Sequence, residues 1–214
     1  MNDHKLIVFE GGDAAGKSTQ AKMAVDYLRK KGGKVAYFDF PQYKGTMSGE
    51  LVGELLHGAY GNFLDLHPKV ASMAYALDRL TVREKIKEAL WVGEVVCNRY
   101  TTSSALYQAA KLKNKVEQDE FIAWLEKFEH GEHRMPRPTR VIYLRVPFEV
   151  SQRLMDQAGK TKDQYEQSAE YQRTVSKLYD RICSERDEWI KFECFQDDKL
   201  LSPDEIHGYV KKFL

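Results

Sequence analysis

The sequence has little of what would commit it to an unusual class of protein. No apolar run approaches the roughly 20 residues needed to cross a bilayer, and the N-terminal MNDHK leads straight into the first apolar stretch. No membrane span and no signal peptide are therefore expected. Excess charge is absent too: 33 Lys and Arg stand against 32 Asp and Glu, a net charge of +1. Such a balance argues against a general nucleic-acid or membrane-surface binder, while leaving room for local basic pockets. Cysteine is scarce: Cys97, Cys183 and Cys194 are scattered, without a C-x-x-C pair. They suit reduced, buried thiols in the cytoplasm better than a disulfide frame or a zinc site. Repeats, low-complexity tracts and linkers are missing, and at this length residues 1–214 are expected to form one domain, or one domain with a small lid.

What is present is concentrated in Leu6–Gln20, LIVFEGGDAAGKSTQ. An apolar run is followed by Gly11-x-x-x-x-Gly16-Lys17-Ser18 and then by a helical pattern. That order of strand, glycine-rich turn and helix N-terminus is what a phosphate-binding P-loop requires. Gly11, Gly12, Asp13, Ala14, Ala15, Gly16, Lys17, Ser18 and Thr19 would wrap a nucleotide polyphosphate with backbone N–H groups at the positive end of a helix. Lys17 would reach the β- and γ-phosphates of ATP, and the Ser18 hydroxyl would ligate Mg²⁺. Asp13 is unusual within an anion site, which suggests a task on Mg²⁺ or on a hydroxyl of a second substrate; the alternative is a turn-forming aspartate.

Further apolar runs, KVAYFDF before Pro41, Glu94-Val-Val-Cys-Asn-Arg-Tyr100, TRVIYLRV and IKFECF, alternate with helical patterns. This alternation predicts an α/β fold with a five-stranded parallel sheet covered by helices on both faces. Helices are expected over Ser48–Gly58, from Pro68 onwards, and over Ser103–Lys111, Lys115–Glu129, Phe148–Asp156 and Gln164–Glu188. Ser202-Pro-Asp-Glu205 is a capping box opening the last one. In the helix after Pro68, Val70, Met73, Ala74, Leu77 and Leu80 recur at helical spacing; the stripe reads chiefly as core, with a share available to a dimer contact.

Ligands of open α/β sheets lie beyond the carboxyl ends of the strands. Arg99 closes the third strand there and suits bidentate phosphate binding. Phe40 closes the second and could offer a face to a base or simply pack. Lys160 and Lys162, beside Gly159, could close over phosphates as a mobile loop, although a solvated loop is the commoner meaning of such a stretch. His130 and His133 sit among Glu129, Glu132 and Arg134 and read as a helix end rather than a metal site.

FEGGDAAGKST, FPQY, YALDR, NRYTTSSALYQ, the PRP loop before VIYL, and DQYE, in this order, resemble the thymidylate kinase family, close to its bacterial branch. The resemblance implies a three-layer P-loop kinase fold with a lid at about 156–164. It also implies Mg²⁺-dependent transfer of the ATP γ-phosphoryl group to dTMP by a cytoplasmic homodimer. On that basis Lys17, Asp13, Arg99, Lys160 and Lys162 would be catalytic, and Ser18 and Asp13 would serve the metal. Phe40 would stack on thymine, Arg79 would read a thymine carbonyl, and Arg99 with Tyr43 would hold the acceptor phosphate. Tyr107 would crowd the sugar 2′ position, Tyr165 and Glu166 would close the site, and Ser104 would stand beside the base.

Four departures from the family pattern bear on mechanism. Asn98 replaces an Asp close to the metal, which predicts lower metal affinity or turnover, or a larger share of that task for Asp13. Gln42 and Gln164 stand where relatives often have Arg. Ser104 replaces a side chain that in many relatives helps to read the base. Ala14 leaves the P-loop without the arginine some members carry, and the lid offers Lys160 and Lys162 with Arg153 further back, so a slower or lysine-based enzyme is expected. The alternatives are a related P-loop kinase for another deoxynucleotide or deoxynucleoside, and a catalytically weak nucleotide-binding homologue.

Overall fold

Each of the five apolar runs forms a strand in the computed structural model, which describes residues 4–159, 163–197 and 199–214. These are β1 (Leu6–Gly11), β2 (Val35–Asp39), β3 (Glu94–Asn98), β4 (Arg140–Arg145) and β5 (Trp189–Glu193), all parallel, in the order β2-β3-β1-β4-β5. The central β1 is buried along its whole length, Glu10 included, as the apolar run Leu6–Phe9 requires of a strand covered on both faces. Alternation then divides the core. Leu6 and Val8 join α2 (Met47–Leu56), α3 (Pro68–Leu80), α4 (Arg83–Val92), α5 (Thr101–Ala109) and α6 (Lys115–Glu126) on one face. Ile7 and Phe9 join α1 (Lys17–Lys30), α7 (Phe148–Ala158) and α10 (Pro203–Val210) on the other. The two-residue runs β6 (Phe195–Gln196) and β7 (Lys199–Leu200) form a small antiparallel pair.

Helix ends follow local chemistry. Ser202 and Glu205 form both halves of the capping box at α10. The helical stretch expected over Gln164–Glu188 is instead two helices, α8 (Gln164–Gln167) and α9 (Ala169–Glu185). Ser168 between them is extended and caps α9 through Tyr171 N–H, so a residue that could have been interior acts as a start signal. Beyond α6 the chain widens into a π-helical segment, Lys127–Glu132, which turns Glu129 into the interior.

The α3 stripe corrects its sequence reading as core. Val70, Met73 and Leu77 are 54%, 50% and 48% exposed, whereas Ala71, Ser72, Ala76, Asp78 and Arg79 are buried. The inward face of α3 carries small residues against the core together with Asp78 and Arg79, which are bonded to Gln42 and Glu129, and the larger apolar side chains are left outside. Among the described residues no helix is long and apolar enough to cross a membrane.

Candidate active site

β1 delivers the chain into the glycine-rich turn at Gly11, whose φ is +148° and where a Cβ would stand 2.5 Å from the Leu144 carbonyl oxygen of β4. Gly16 caps α1 in the left-handed region, and Ala14 shares that hand at φ +58°. The resulting loop leads into a helix N-terminus whose first turn holds no acid, an arrangement suited to polyphosphate. Lys17 is buried and donates from Nζ to the Gly12 carbonyl at 2.6 Å, with Asp13 3.9 Å away. Burial, reinforced by the Arg99 charge, pulls its pKa down to about 8. Ser18 stands in the first turn of α1 beside the Tyr37 hydroxyl.

Next to this loop lies a cavity at the carboxyl ends of β1, β2 and β3, roofed by α3, α5 and α8. Its lining includes Asp13, Phe40, Tyr43, Arg79, Arg99, Ser104, Tyr107, Tyr165 and Glu166, so the side chains that the sequence singled out for an acceptor share one space. Lys160 and Lys162 lie outside the described residues. Gln42 is turned away: its N–H and side-chain amide bind the Asp78 carboxylate at 2.9 and 3.2 Å, pinning the Phe40–Tyr43 turn to α3. Gln164 likewise has a bridging task, accepting from Phe63 N–H at 2.6 Å and donating to the Gly61 carbonyl at 3.2 Å. These contacts hold α8 over the cavity.

Arg99 occupies the left-handed region at φ +59°, which costs about 1–2 kcal/mol in a non-glycine residue. The chain turns there because Arg99 N–H donates to the Phe9 carbonyl at 3.0 Å, and this aims the side chain across the strand ends. Nη2 donates to Asp13 Oδ1 at 2.5 Å, Nη1 to Ser103 Oγ at 3.3 Å, and the guanidinium lies 5.0 Å from the Tyr107 ring centroid. The Ser103 hydroxyl in turn donates to Glu10 Oε2 at 2.6 Å. Fully buried Glu10 also accepts from Thr102 and Tyr179. Arg99 therefore stands in a prearranged frame of acceptors rather than free in solvent.

Arg79 is held differently. Its Nε and Nη2 donate to the Glu129 carboxylate, and Nη2 also donates to Ser104 Oγ at 3.0 Å. Nη1 bonds to nothing in the chain among the described residues, which leaves one donor of the fork for a ligand in the cavity. Phe40 packs against Tyr100 and Phe38 with ring centroids 5.9 and 6.3 Å away.

The sequence reading missed Glu10, Glu129, Asp163 and Gln108 as parts of this site. Asp163 had a local signal in the Asp-x-x-Glu spacing of a capping box, and both halves of that box form. Burial, with the charges of Glu166 and Asp13, pushes the Asp163 carboxyl up to about 6.

Comparison with known proteins points to one family. The family model described as thymidylate kinase matches residues 9–200. The thymidylate kinase of Mycobacterium tuberculosis is 31% identical over 189 residues, which covers 84% of this chain and 86% of that protein. That of Plasmodium falciparum is 28% identical over 210 residues, covering 97% and 88%. A solved thymidylate kinase from Candida albicans superposes with a TM-score of 0.77 at 21% identity over 98% of this chain and 90% of its own, and so shares the fold. On the extent of the family match, the chain belongs to the thymidylate kinase family.

Proposed function

We propose that the chain transfers the γ-phosphoryl group of ATP to the phosphate of dTMP, giving dTDP and ADP. The observation that carries the reading is the cavity beside the P-loop. It combines an aromatic face at Phe40, a free guanidinium donor at Arg79 and the Arg99 fork within reach of the polyphosphate loop. The acceptor is already an anion, so the site needs alignment and charge stabilisation more than a general base. In this reading Phe40 stacks on thymine, Arg79 Nη1 meets a thymine carbonyl beside Ser104, and Arg99 with Tyr43 holds the acceptor phosphate. Tyr107 lies against the sugar, and Tyr165 and Glu166 close the space from α8. Lys17 leaves its Gly12 carbonyl contact for the β- and γ-phosphates.

Residues 1–214 act as one kinase unit in which the segment at about 156–164 is the lid. In support, Gly159 ends α7 in the left-handed region, and α8 is already docked on the cavity. Mg²⁺ fits the oxygen donors near Ser18, a set suited to a hard cation. No group of three or more His, Cys, Asp or Glu suited to a metal occurs among the described residues, so the ion would be held jointly with nucleotide phosphates. When bound, it neutralises phosphate charge during transfer. The exposed Val70, Met73 and Leu77 row supports a homodimer through α3. The unpaired Cys97, Cys183 and Cys194 suit a cytoplasmic setting, and the balanced charge suits dTMP and ATP as ligands rather than nucleic acid or membrane.

The test is ADP release from ATP and Mg²⁺ with dTMP, dUMP, dGMP, CMP, thymidine or no acceptor. A clear preference for dTMP is expected. Preference for another acceptor would overturn Phe40, Arg79 and Ser104 as a thymine site, and nucleotide binding without turnover would overturn the kinase reading.

A further inference from the structure

Strand parity sends alternate residues of β2 to opposite faces. Ala36, Phe38 and Phe40 pack into the core on the cavity side, whereas Val35 and Tyr37 pack on the α1 side. Asp39 therefore shares the α1 face with Tyr37. In β3 the same alternation places Asn98 with Val96 on that face. Asp39 and Asn98 are in register, and Asn98 is in register with Phe9 of β1, two residues before the P-loop begins. One row across the sheet thus leads from Asp39 to the phosphate loop.

The side chains in this row are connected. Asn98 Nδ2 donates to Asp39 Oδ1 at 2.7 Å, and the Tyr37 hydroxyl donates to Asp39 Oδ2 at 3.0 Å. The same Tyr37 hydroxyl lies beside Ser18 in the first turn of α1. Asn98 is only 9% exposed, and its Oδ1 has no hydrogen-bond partner. Of the other acids near the P-loop, Glu10 is committed to Thr102, Ser103 and Tyr179, Asp13 to Arg99, and Asp163 and Glu166 to each other's backbone N–H in the α8 capping box. Asp39 has no cationic partner among the described residues, although both its oxygens are fixed. A fixed carboxylate without a cation, next to an orphaned amide oxygen and joined to Ser18 of the P-loop through the Tyr37 hydroxyl, is the oxygen-rich environment that a nucleotide-bound Mg²⁺ takes.

We propose that Asp39, held by Asn98 and Tyr37, is the positioning carboxylate for the divalent cation of the bound nucleotide. The charge missing from position 98 stands one strand away, and Asn98 serves as its hydrogen-bond donor. The proposal rests on the Mg²⁺ reading above and gives Asp13 to the acceptor side through Arg99.

The experiment measures ADP affinity by calorimetry across a Mg²⁺ titration, so it does not depend on turnover. Asp39→Asn is expected to raise the Mg²⁺ concentration at half-effect by about tenfold or more, the usual size for a lost outer partner of a metal. Metal-free ADP affinity should stay within about twofold. Asp39→Asn combined with Asn98→Asp returns the carboxylate to the third strand and should recover most of the lost Mg²⁺ effect. An unchanged Mg²⁺ midpoint in Asp39→Asn, equal weakening with and without Mg²⁺, or no recovery in the double variant would overturn the proposal. Tyr37→Phe, which keeps the charge but releases one of its two holds, covers the case in which Asp39→Asn does not fold. It should shift the midpoint in the same direction, and no shift overturns the assignment. Wild-type ADP binding indifferent to Mg²⁺ would overturn the Mg²⁺ reading itself, a result distinct from a Mg²⁺-dependent wild type matched by Asp39→Asn.

Discussion

Arg79 and Glu129, fifty positions apart, form an ion pair in which the two side chains are 2% and 0% exposed. The pair fixes the guanidinium plane so that Nη2 reaches Ser104 and Nη1 is left for the cavity. Removing one partner of a buried pair strands the other charge, at a typical cost of about 3–5 kcal/mol. Glu129→Leu should therefore lower unfolding free energy by about 3 kcal/mol in urea melts. Replacing both, Arg79→Met with Glu129→Leu, should recover much of that stability while KM for dTMP stays at least about tenfold raised, since one charge-assisted hydrogen bond is worth about 1.5–3 kcal/mol. If the double variant binds dTMP as the wild type does, Arg79 does not read the base.

Lys17 gives a pH signature. Its folded pKa, about 8, lies below the ordinary lysine value because burial and Arg99 disfavour the charge. Below pH 8 the buried ammonium costs stability in full, and that cost fades as pH rises from 8 toward 10.5. A bound polyphosphate reverses the balance by restoring the charged form. ATP binding should then take up a fraction of a proton between pH 8 and 9, read as a dependence of calorimetric enthalpy on buffer ionisation enthalpy. Lys17→Arg should abolish the uptake, because a guanidinium does not titrate there. Uptake that persists in Lys17→Arg would place the titrating group elsewhere.

The strands and the P-loop were legible because their information is local: continuous apolar runs, Gly11 and Gly16 at fixed offsets, and a capping box at Ser202. The cavity was legible through motifs at the strand ends, Phe40 after β2 and Arg99 after β3. What escaped is non-local. Glu129 sits in a charged run beside His130 and Glu132 and reads as part of a helix end until the widened turn after α6 carries it under Arg79. Glu10 reads as one polar residue in a strand, and its burial is explained only by hydroxyls from α5 and α9. The α3 stripe shows a further limit: apolar residues at helical spacing predict a face that is covered, but not whether the cover is the chain's own core.

Asp163 titrates in the opposite sense from a salt-bridged acid. Its folded pKa of about 6 is raised by burial and by neighbouring Glu166 and Asp13, so ionisation opposes folding above pH 6. The opposition disappears as pH falls from 6 toward 3.8. Asn keeps the N-cap acceptor for Glu166 N–H, since the two residues cap equally well. Asp163→Asn should raise Tm at pH 8 by about 2 °C, the shift that somewhat under 1 kcal/mol produces in a chain of this size. At pH 5 the gain should be smaller. Equal gains at the two pH values would mean that the carboxyl charge is not what strains α8.

Val70, Met73 and Leu77 recur at i, i+3 and i+7, so their side chains form one row on the outer face of α3. Each is about half exposed, and the inner face is already packed, so the row contributes little to folding of one chain. A continuous apolar row left outside a folded chain is expected to be buried by association. Sedimentation equilibrium at micromolar concentration should give twice the 24.8 kDa chain mass. Leu77→Glu should give the single chain mass with secondary structure intact, because substitutions at exposed positions usually change stability by about 0.5 kcal/mol or less. Val116→Glu, equally drastic at another exposed apolar residue, should leave the mass unchanged. A monomeric wild type, or a dimer insensitive to Leu77→Glu, would remove α3 as the interface and leave the row as an exposed edge of the acceptor-site helix.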